Sequence, residues 1–188
     1  MKTNANLMLA AFFFLLAAAP AAGQQPSPAA QLEAMKKLNF LIGKWEGESW
    51  TEFAPGQRLQ SHGTETVQDK LGGLLVTMEG IHRRKAGEKN EGTVVHNAFG
   101  VATFDEKAKR YRFQAYTNRG TYVDAEAKIA DGRFEWGFRV PNAVEIRYVI
   151  KLNDKGQWFE TGEMSRDGKT WRKFFEMTLD RVKNPPPA

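Results

Sequence analysis

The sequence contains no cysteine among its 188 residues. This absence excludes disulfide bonds, thiol catalysis, cysteine-ligated zinc, iron–sulfur clusters and lipidation at a cysteine. Aromatic residues are plentiful, with 13 Phe, 5 Trp and 4 Tyr, and they favour β-strands. Since 41% of the residues are hydrophobic and 26% are charged, the composition predicts one small globular β domain with a sizeable core.

The chain also lacks an apolar run long enough to cross a membrane. Residues 7–19 form an apolar run of 13 residues, whereas a membrane-spanning helix needs about 20. Lys2 precedes this run, and the small residues Ala21, Ala22 and Gly23 follow it. This order is typical of a secretory signal, so we predict cleavage of residues 1–23 just before Gln24, export to the periplasm or beyond, and no membrane span in the mature chain.

A clustered basic surface is absent as well. The 27 basic and 22 acidic residues give a net charge of +5, but they alternate along the chain. A nucleic-acid-binding protein concentrates its positive charge on one stripe or patch. The sequence therefore predicts no nucleic-acid partner.

The remaining chain divides into one short helix and a long series of strands. We predict a tether at residues 24–31, a single domain at 32–183 and a proline-rich tail at 184–188. Leu32, Met35 and Leu38 recur at helical spacing and predict an amphipathic helix that covers an apolar surface. Alternating residues between turn signals predict ten strands, at residues 43–52, 63–71, 74–83, 93–104, 110–117, 121–130, 133–140, 143–153, 158–165 and 170–182.

The links between these strands are short. A parallel crossover needs a dozen or more residues, so short links force each strand to pair with its predecessor. Closing such a meander removes its two exposed edges. The fold class is therefore all-β, an antiparallel up-and-down barrel with one N-terminal capping helix, and such a barrel has room for one small ligand.

A tryptophan motif opens the first strand. Gly43-Lys44-Trp45 resembles the Gly-x-Trp signature of the calycin superfamily, which includes the lipocalins. The resemblance implies that Trp45 packs across the closed end of the barrel beneath Arg181 of the last strand. A guanidinium over an indole face gains a cation–π contact.

Longer stretches resemble one bacterial family, domain of unknown function 1579. They are residues 35–47, Lys70-Leu71-Gly72-Gly73, Tyr111-Arg112-Phe113, residues 122–125 and residues 166–171. The resemblance implies a lipocalin-like barrel and no particular reaction. Nitrobindin-type barrels are similar in topology and bind haem through a late histidine, but this chain has no histidine after His96. We therefore predict no haem and no other cofactor.

The histidines predict no metal site either. His62, His82 and His96 fall on separate elements, at a loop edge, at a strand end and in mid-strand, without the spacing of paired ligands. We expect ordinary surface or hydrogen-bonded histidines.

The strand faces supply the candidate binding residues. One face of strands five to eight is apolar, and its cavity candidates are Phe113, Ala125, Phe134, Trp136, Phe138, Ile146 and Tyr148. If the faces are reversed, the polar candidates Arg112, Tyr116, Tyr122 and Arg147 line the cavity instead.

Three functions are compatible with these patterns. The first is an exported barrel that binds a small apolar or amphipathic molecule. The second is a barrel enzyme that acts on an aromatic or carboxylic substrate, for which we predict no catalytic residue because no acid–base pair is fixed by spacing. The third is an envelope interaction module with a filled core. An open apolar cavity favours the first function, and perturbed carboxylates favour the second.

Overall fold

The computed structural model describes residues 28–140 and 144–183, where a short helix precedes ten strands. The helix α1 spans Ala29–Lys36, and a 3-10 turn follows at Asn39–Leu41. The strands are β1 (Gly43–Thr51), β2 (Leu59–Lys70), β3 (Leu75–Arg84), β4 (Val94–Asp105), β5 (Arg110–Thr117), β6 (Tyr122–Ala130), β7 (Arg133–Val140), β8 (Val144–Leu152), β9 (Trp158–Ser165) and β10 (Arg172–Arg181). The predicted signal segment, the start of the tether up to residue 27 and the tail at 184–188 lie outside the described residues.

The strands form a closed antiparallel barrel in sequence order. Each strand pairs with its predecessor, and β1 also pairs with β10, so that Trp45 lies opposite Arg181. The prediction of a ten-stranded antiparallel barrel with one N-terminal helix is confirmed.

Tight turns between consecutive strands produce this order. Asp131 and Gly132 join β6 to β7 with φ angles of 52° and 69°. Two consecutive positive φ angles suit the twist of a two-residue hairpin, and Asp-Gly adopts them at low cost. A link this short leaves the chain no route except back along the strand that it has just left.

Two predicted boundaries need correction. The strand β2 begins at Leu59, four residues before the predicted start, because Leu59 pairs with Thr51 of β1; His62 therefore lies within a strand. The helix begins at Ala29, so residues 29–31 are helical rather than part of a tether. Gln31 anchors this first turn, since its Nε2 donates hydrogen bonds to Leu74 O (3.2 Å) and Thr103 Oγ1 (3.0 Å).

The helix and the 3-10 turn close one end of the barrel. Met35, Leu38 and Leu41 are buried, and the Tyr111 hydroxyl donates a 2.8 Å hydrogen bond to Ala34 O. Burial of about three such side chains contributes several kcal/mol, which holds α1 on the barrel. In the part of the chain that the structure describes, no helix has the length and apolarity needed to cross a bilayer.

Candidate binding lumen

One side of the barrel interior is aromatic. Phe113, Phe134, Trp136, Phe138 and Tyr148 face inward from β5, β7 and β8, and we call these five residues the aromatic wall. Trp136 stacks on Tyr148 at 4.5 Å between ring centroids and contacts Phe113 at 4.7 Å. Aromatic pairs in such geometry stabilise a wall beyond their burial alone.

The exposure of the aromatic wall increases away from the helix. Phe134 is fully buried, Trp136 and Phe138 are half-buried, and Val140 at the end of β7 is 38% exposed. Tyr148 and Ile146, their partners on β8, are also half-buried. We call this end the mouth of the barrel, because solvent reaches inward-facing side chains there.

The seven predicted cavity residues therefore share one face. Phe113 and Ala125 are cross-strand partners and both are buried. Phe134 lies deepest, whereas Trp136, Phe138, Ile146 and Tyr148 stand nearer the mouth. Their side chains meet inside the barrel, and their role in binding a ligand remains a prediction.

The opposite side of the interior carries a chain of polar side chains. The Ser61 and Ser49 hydroxyls share a 2.8 Å hydrogen bond, and Ser49 Oγ lies 2.9 Å from His82 Nδ1. His82 Nε2 lies 3.2 Å from Glu65 Oε1. We call Ser61, Ser49, His82 and Glu65 the polar chain. Its two serines are buried and His82 is only 4% exposed, so the chain is shielded from bulk solvent.

Glycines on neighbouring strands make room for this chain. Gly63 lies opposite His82, and a Cβ placed on Gly63 would be 2.6 Å from the imidazole ring. Gly80 lies opposite Glu65, and its Cβ would be 2.2 Å from the carboxylate. Each large side chain therefore lies flat across a glycine of the next strand instead of extending into the centre of the barrel.

A carboxyl group lies deeper in the barrel. Glu160 of β9 is buried, and its Oε2 accepts a 3.1 Å hydrogen bond from Trp158 Nε1. Burial raises the pKa of Glu160 to about 8, the negative charge of Glu65 adds to the rise, and the Trp158 hydrogen bond opposes it. Glu160 is therefore mostly protonated at neutral pH. Burial, and then the charge of Glu160, also raises the pKa of Tyr148.

His96 stands beside His82 at the mouth. The two rings meet edge to face at 5.6 Å, a contact between neighbouring strands that the spacing of the histidines in the sequence does not reveal. The His96 side chain is exposed to solvent at the mouth, and neighbouring protein atoms partly enclose its ring. This enclosure, followed by the charges of His82 and Arg119, lowers the pKa of His96 to about 4, which leaves a neutral imidazole at neutral pH. Residues 28–140 and 144–183 contain no group of three or more acidic or histidine side chains placed to hold a metal ion.

Sequence reasoning missed the polar chain and Glu160. Alternation from the buried residues Val67 and Val76 assigns Glu65 and His82 to the interior, and alternation from Trp158 does the same for Glu160. Charged residues normally indicate the solvent face, and this expectation hid the signal.

Comparison with known proteins places the chain in a family. Residues 30–181 match the model of the family described as Protein of unknown function (DUF1579). The chain belongs to this family. The crystal structure of Rv2717c from M. tuberculosis is similar to this DUF1579 barrel, with 13% sequence identity, a TM-score of 0.58 and coverage of 80% of this chain and 98% of that chain. At this identity the likeness shows the fold alone. No curated protein matches the chain.

The outer face of the DUF1579 barrel holds the four alternative polar candidates. Arg112 pairs with Asp124 across β5 and β6, while Tyr116 and Tyr122 are exposed with their ring centroids 5.0 Å apart. Arg147 Nε lies 2.7 Å from Glu163 Oε2, and its guanidinium lies over the Trp171 ring. The alternative with reversed faces is therefore wrong, because the apolar face lies inside and these four side chains lie outside, the arginines paired with acidic residues and the two tyrosines with each other.

The closed end has the arrangement that the calycin resemblance implies. Trp45 is 1% exposed, its Nε1 donates a 2.8 Å hydrogen bond to Leu41 O, and the Arg181 guanidinium carbon lies 4.0 Å from its ring centroid. Arg181 also donates hydrogen bonds to Phe40 O and Ile42 O. Gly43 has a φ angle of 137°, which side chains rarely adopt, and a Cβ there would lie 2.5 Å from the Arg181 guanidinium, so this position favours glycine. Two surface recesses border Ile42 at this end, and they contain no residue of the polar chain or the aromatic wall.

Proposed function

We propose that this protein binds a small amphipathic molecule inside the barrel, entering from the mouth. The observation that carries the proposal is that two unlike walls face each other across the interior. One is aromatic and partly exposed at its mouth end, and the other is a largely buried chain of hydroxyl, imidazole and carboxylate groups. Ligand sites combine apolar walls with a few placed polar groups in this way. The apolar body of the ligand packs on Trp136 and Tyr148, and its polar group reaches the polar chain.

Titration with N-phenyl-1-naphthylamine tests the proposal. This neutral aromatic amine gains fluorescence in an apolar site, and we expect saturable binding in the micromolar range, or roughly −8 kcal/mol. Binding should quench tryptophan emission, and Trp136→Phe should remove much of that quenching. Trp171→Phe is the matched control, because Trp171 lies outside the barrel against Arg147.

A second variant tests whether the probe enters the barrel. Ala125 is buried opposite Phe113, so Ala125→Phe should fill the interior and abolish binding while circular dichroism shows the same fold. Native mass spectrometry of freshly purified protein should reveal any co-purified small molecule. If nothing co-purifies and the probe does not bind, the binding proposal fails and the envelope interaction module replaces it.

A barrel enzyme is the second candidate, and the polar chain is the observation that favours it. A serine nucleophile needs an adjacent base that a third group orients. With the imidazole proton on Nε2 facing Glu65, His82 Nδ1 is free to accept the Ser49 hydroxyl proton. A fluorophosphonate probe should then label Ser49, and the label should persist in Ser165→Ala and disappear in Ser49→Ala. Absence of labelling removes this hydrolytic form of the enzyme proposal.

Export is part of the proposed function, and it rests on the pattern of residues 1–23. The exported protein should begin near Gln24. Intact mass of periplasmic material that still includes residues 1–23 contradicts this expectation.

A further inference from the structure

Two buried side-chain nitrogen atoms lack a hydrogen-bond partner within the described residues. They are Arg84 Nε and Trp136 Nε1. Both are N–H donors, and both belong to residues on the inward-facing alternation of their strands. A buried donor without an acceptor is costly, so each nitrogen favours a ligand that brings an acceptor atom.

Arg84 stands at the mouth, at the end of β3. It lies opposite Ser61, a member of the polar chain, and two residues from His82. Its backbone is fixed, because Arg84 N donates to Thr93 O at 2.9 Å and Arg84 O accepts from Gly92 N at 3.1 Å. No described acidic side chain forms an ion pair with its guanidinium, which is half-buried. Arg84 therefore places a positive charge without an ion-pair partner at the mouth, on the inward-facing alternation of β3.

The nearby cations are already engaged. Arg172 donates to Glu52 O and Phe53 O, both at 2.9 Å, and Arg119 donates to Val95 O at 3.1 Å. Arg83, the sequence neighbour of Arg84, is exposed and donates to Gly92 O. Arg84 is thus the arginine at the mouth that has a buried and unused donor.

The charges inside the barrel also decide at which depth an anionic group can bind. The negative charge of Glu65 lies deeper than Arg84, and it acts on Glu160 deeper still. An anion is repelled at that depth and attracted at the mouth. The aromatic wall extends from the mouth inward and offers Trp136 Nε1 as a second donor.

We propose that the ligand is an organic acid whose anionic group binds Arg84 beside Ser61, with its apolar body against Trp136. This inference rests on the proposed function, because it names the chemical class of the molecule that the barrel binds. Charge-assisted hydrogen bonds from arginine to an oxyanion are among the strong polar contacts available to a protein.

Two matched probes separate the anionic group from the apolar body. N-phenyl-1-naphthylamine is neutral, and 8-anilinonaphthalene-1-sulfonate has the same rings with a sulfonate added. A charge-assisted hydrogen bond corresponds to about tenfold or more in affinity, so the sulfonate should bind the wild-type protein about tenfold more tightly. Arg84→Gln should remove that preference and leave the neutral probe within about twofold of its wild-type affinity. Arg83→Gln, the matched control on the outer face, should change neither probe.

The outcomes distinguish this inference from the proposed function. If neither probe binds the wild-type protein, the proposed function itself fails. If the neutral probe binds but Arg84→Gln weakens both probes equally or leaves their ratio unchanged, the acid site at Arg84 is wrong while the binding proposal stands. Should Arg84→Gln fail to fold, the wild-type ratio decides, and equal affinity for the two probes overturns the inference.

Discussion

Glu160 should make the stability of this protein fall as the pH rises. Its carboxyl lies between Ile150 of β8 and Met177 of β10, its cross-strand partners, in an apolar part of the core. Burial favours the neutral form, so the pKa rises from its ordinary 4.5 to about 8 in the folded protein. Glu160→Gln has nearly the same shape, cannot ionise and retains an acceptor for Trp158 Nε1. It is therefore the perturbation that isolates this charge.

The sign and size of the effect follow from linkage. Between pH 4.5 and 8 the Glu160 side chain keeps a proton in the folded state that it has released in the unfolded state. The contribution of Glu160 to the free energy of unfolding is therefore greatest below pH 4.5 and declines as the pH approaches 8. The full difference between the pKa of Glu160 in the unfolded and in the folded protein corresponds to about 5 kcal/mol of stability, since each pKa unit is worth about 1.4 kcal/mol. His96 acts in the opposite direction, because its pKa is lowered from 6.5 to about 4 and its contribution is lost as the pH falls through that range. Between roughly pH 6.5 and 8.5, where His96 is mostly neutral in both states, Glu160 alone should lower the free energy of unfolding by about 2 kcal/mol.

Urea unfolding followed by tryptophan fluorescence measures this change. The wild-type free energy of unfolding should decrease by about 2 kcal/mol between roughly pH 6.5 and 8.5, whereas that of Glu160→Gln should remain nearly constant. Glu163→Gln is the matched control, because Glu163 lies on the same strand but pairs with Arg147 outside the barrel. If Glu160→Gln shows the same pH slope as the wild-type protein, the buried carboxyl is not the cause and the reasoning is refuted.

Three further predictions concern closure, the interior glycines and haem. Trp45→Ala and Arg181→Gln should each cost on the order of 1 to 4 kcal/mol in thermal or urea unfolding, from lost aromatic burial and from lost cation–π contact respectively; a Trp45→Ala melt equal to that of the parent contradicts the closure role. Gly80→Ala should destabilise the fold by about 1–3 kcal/mol, because its Cβ would lie 2.2 Å from the Glu65 carboxylate, and an unchanged melt would show that Glu65 moves aside freely. Haemin mixed with the protein should give no sharp axial-ligand Soret band, and a stoichiometric band that disappears in His96→Ala would overturn this prediction.

Local sequence was sufficient for the order of the strands and for the closed end. Dipeptides such as Asp131-Gly132 favour tight hairpins, and a short hairpin permits only antiparallel pairing with the preceding strand. Gly43 and Trp45 carry a motif that could be recognised without a structure, and the last strand provides Arg181 at a matching position. These features depend on residues close together in the chain or on pairings that the topology forces.

The apolar face of β5–β8 was also readable, because its alternation is regular. Phe134, Trp136 and Phe138 occupy every second position of β7, and an apolar face of a strand is buried away from water. The same reasoning separated Arg112 and Arg147 onto the other face. It could not decide which face was enclosed until closure of the barrel made the inside apolar.

Only the tertiary structure determined that polar side chains line one side of the barrel interior. On β2 the inward positions Ser61, Gly63 and Glu65 are not apolar, so their place inside follows only by extending the alternation from Val67, against the expectation that a charged residue faces solvent. Ser49, Glu65 and His82 belong to three strands and meet only because closure curves β1, β2 and β3 around one interior. The neutral state of Glu160 and the unpaired donor of Arg84 have the same origin, because the surrounding strands remove water that would stabilise a charge or accept a hydrogen bond. The amount of water that remains around a side chain depends on the folded barrel, and no local sequence pattern records it.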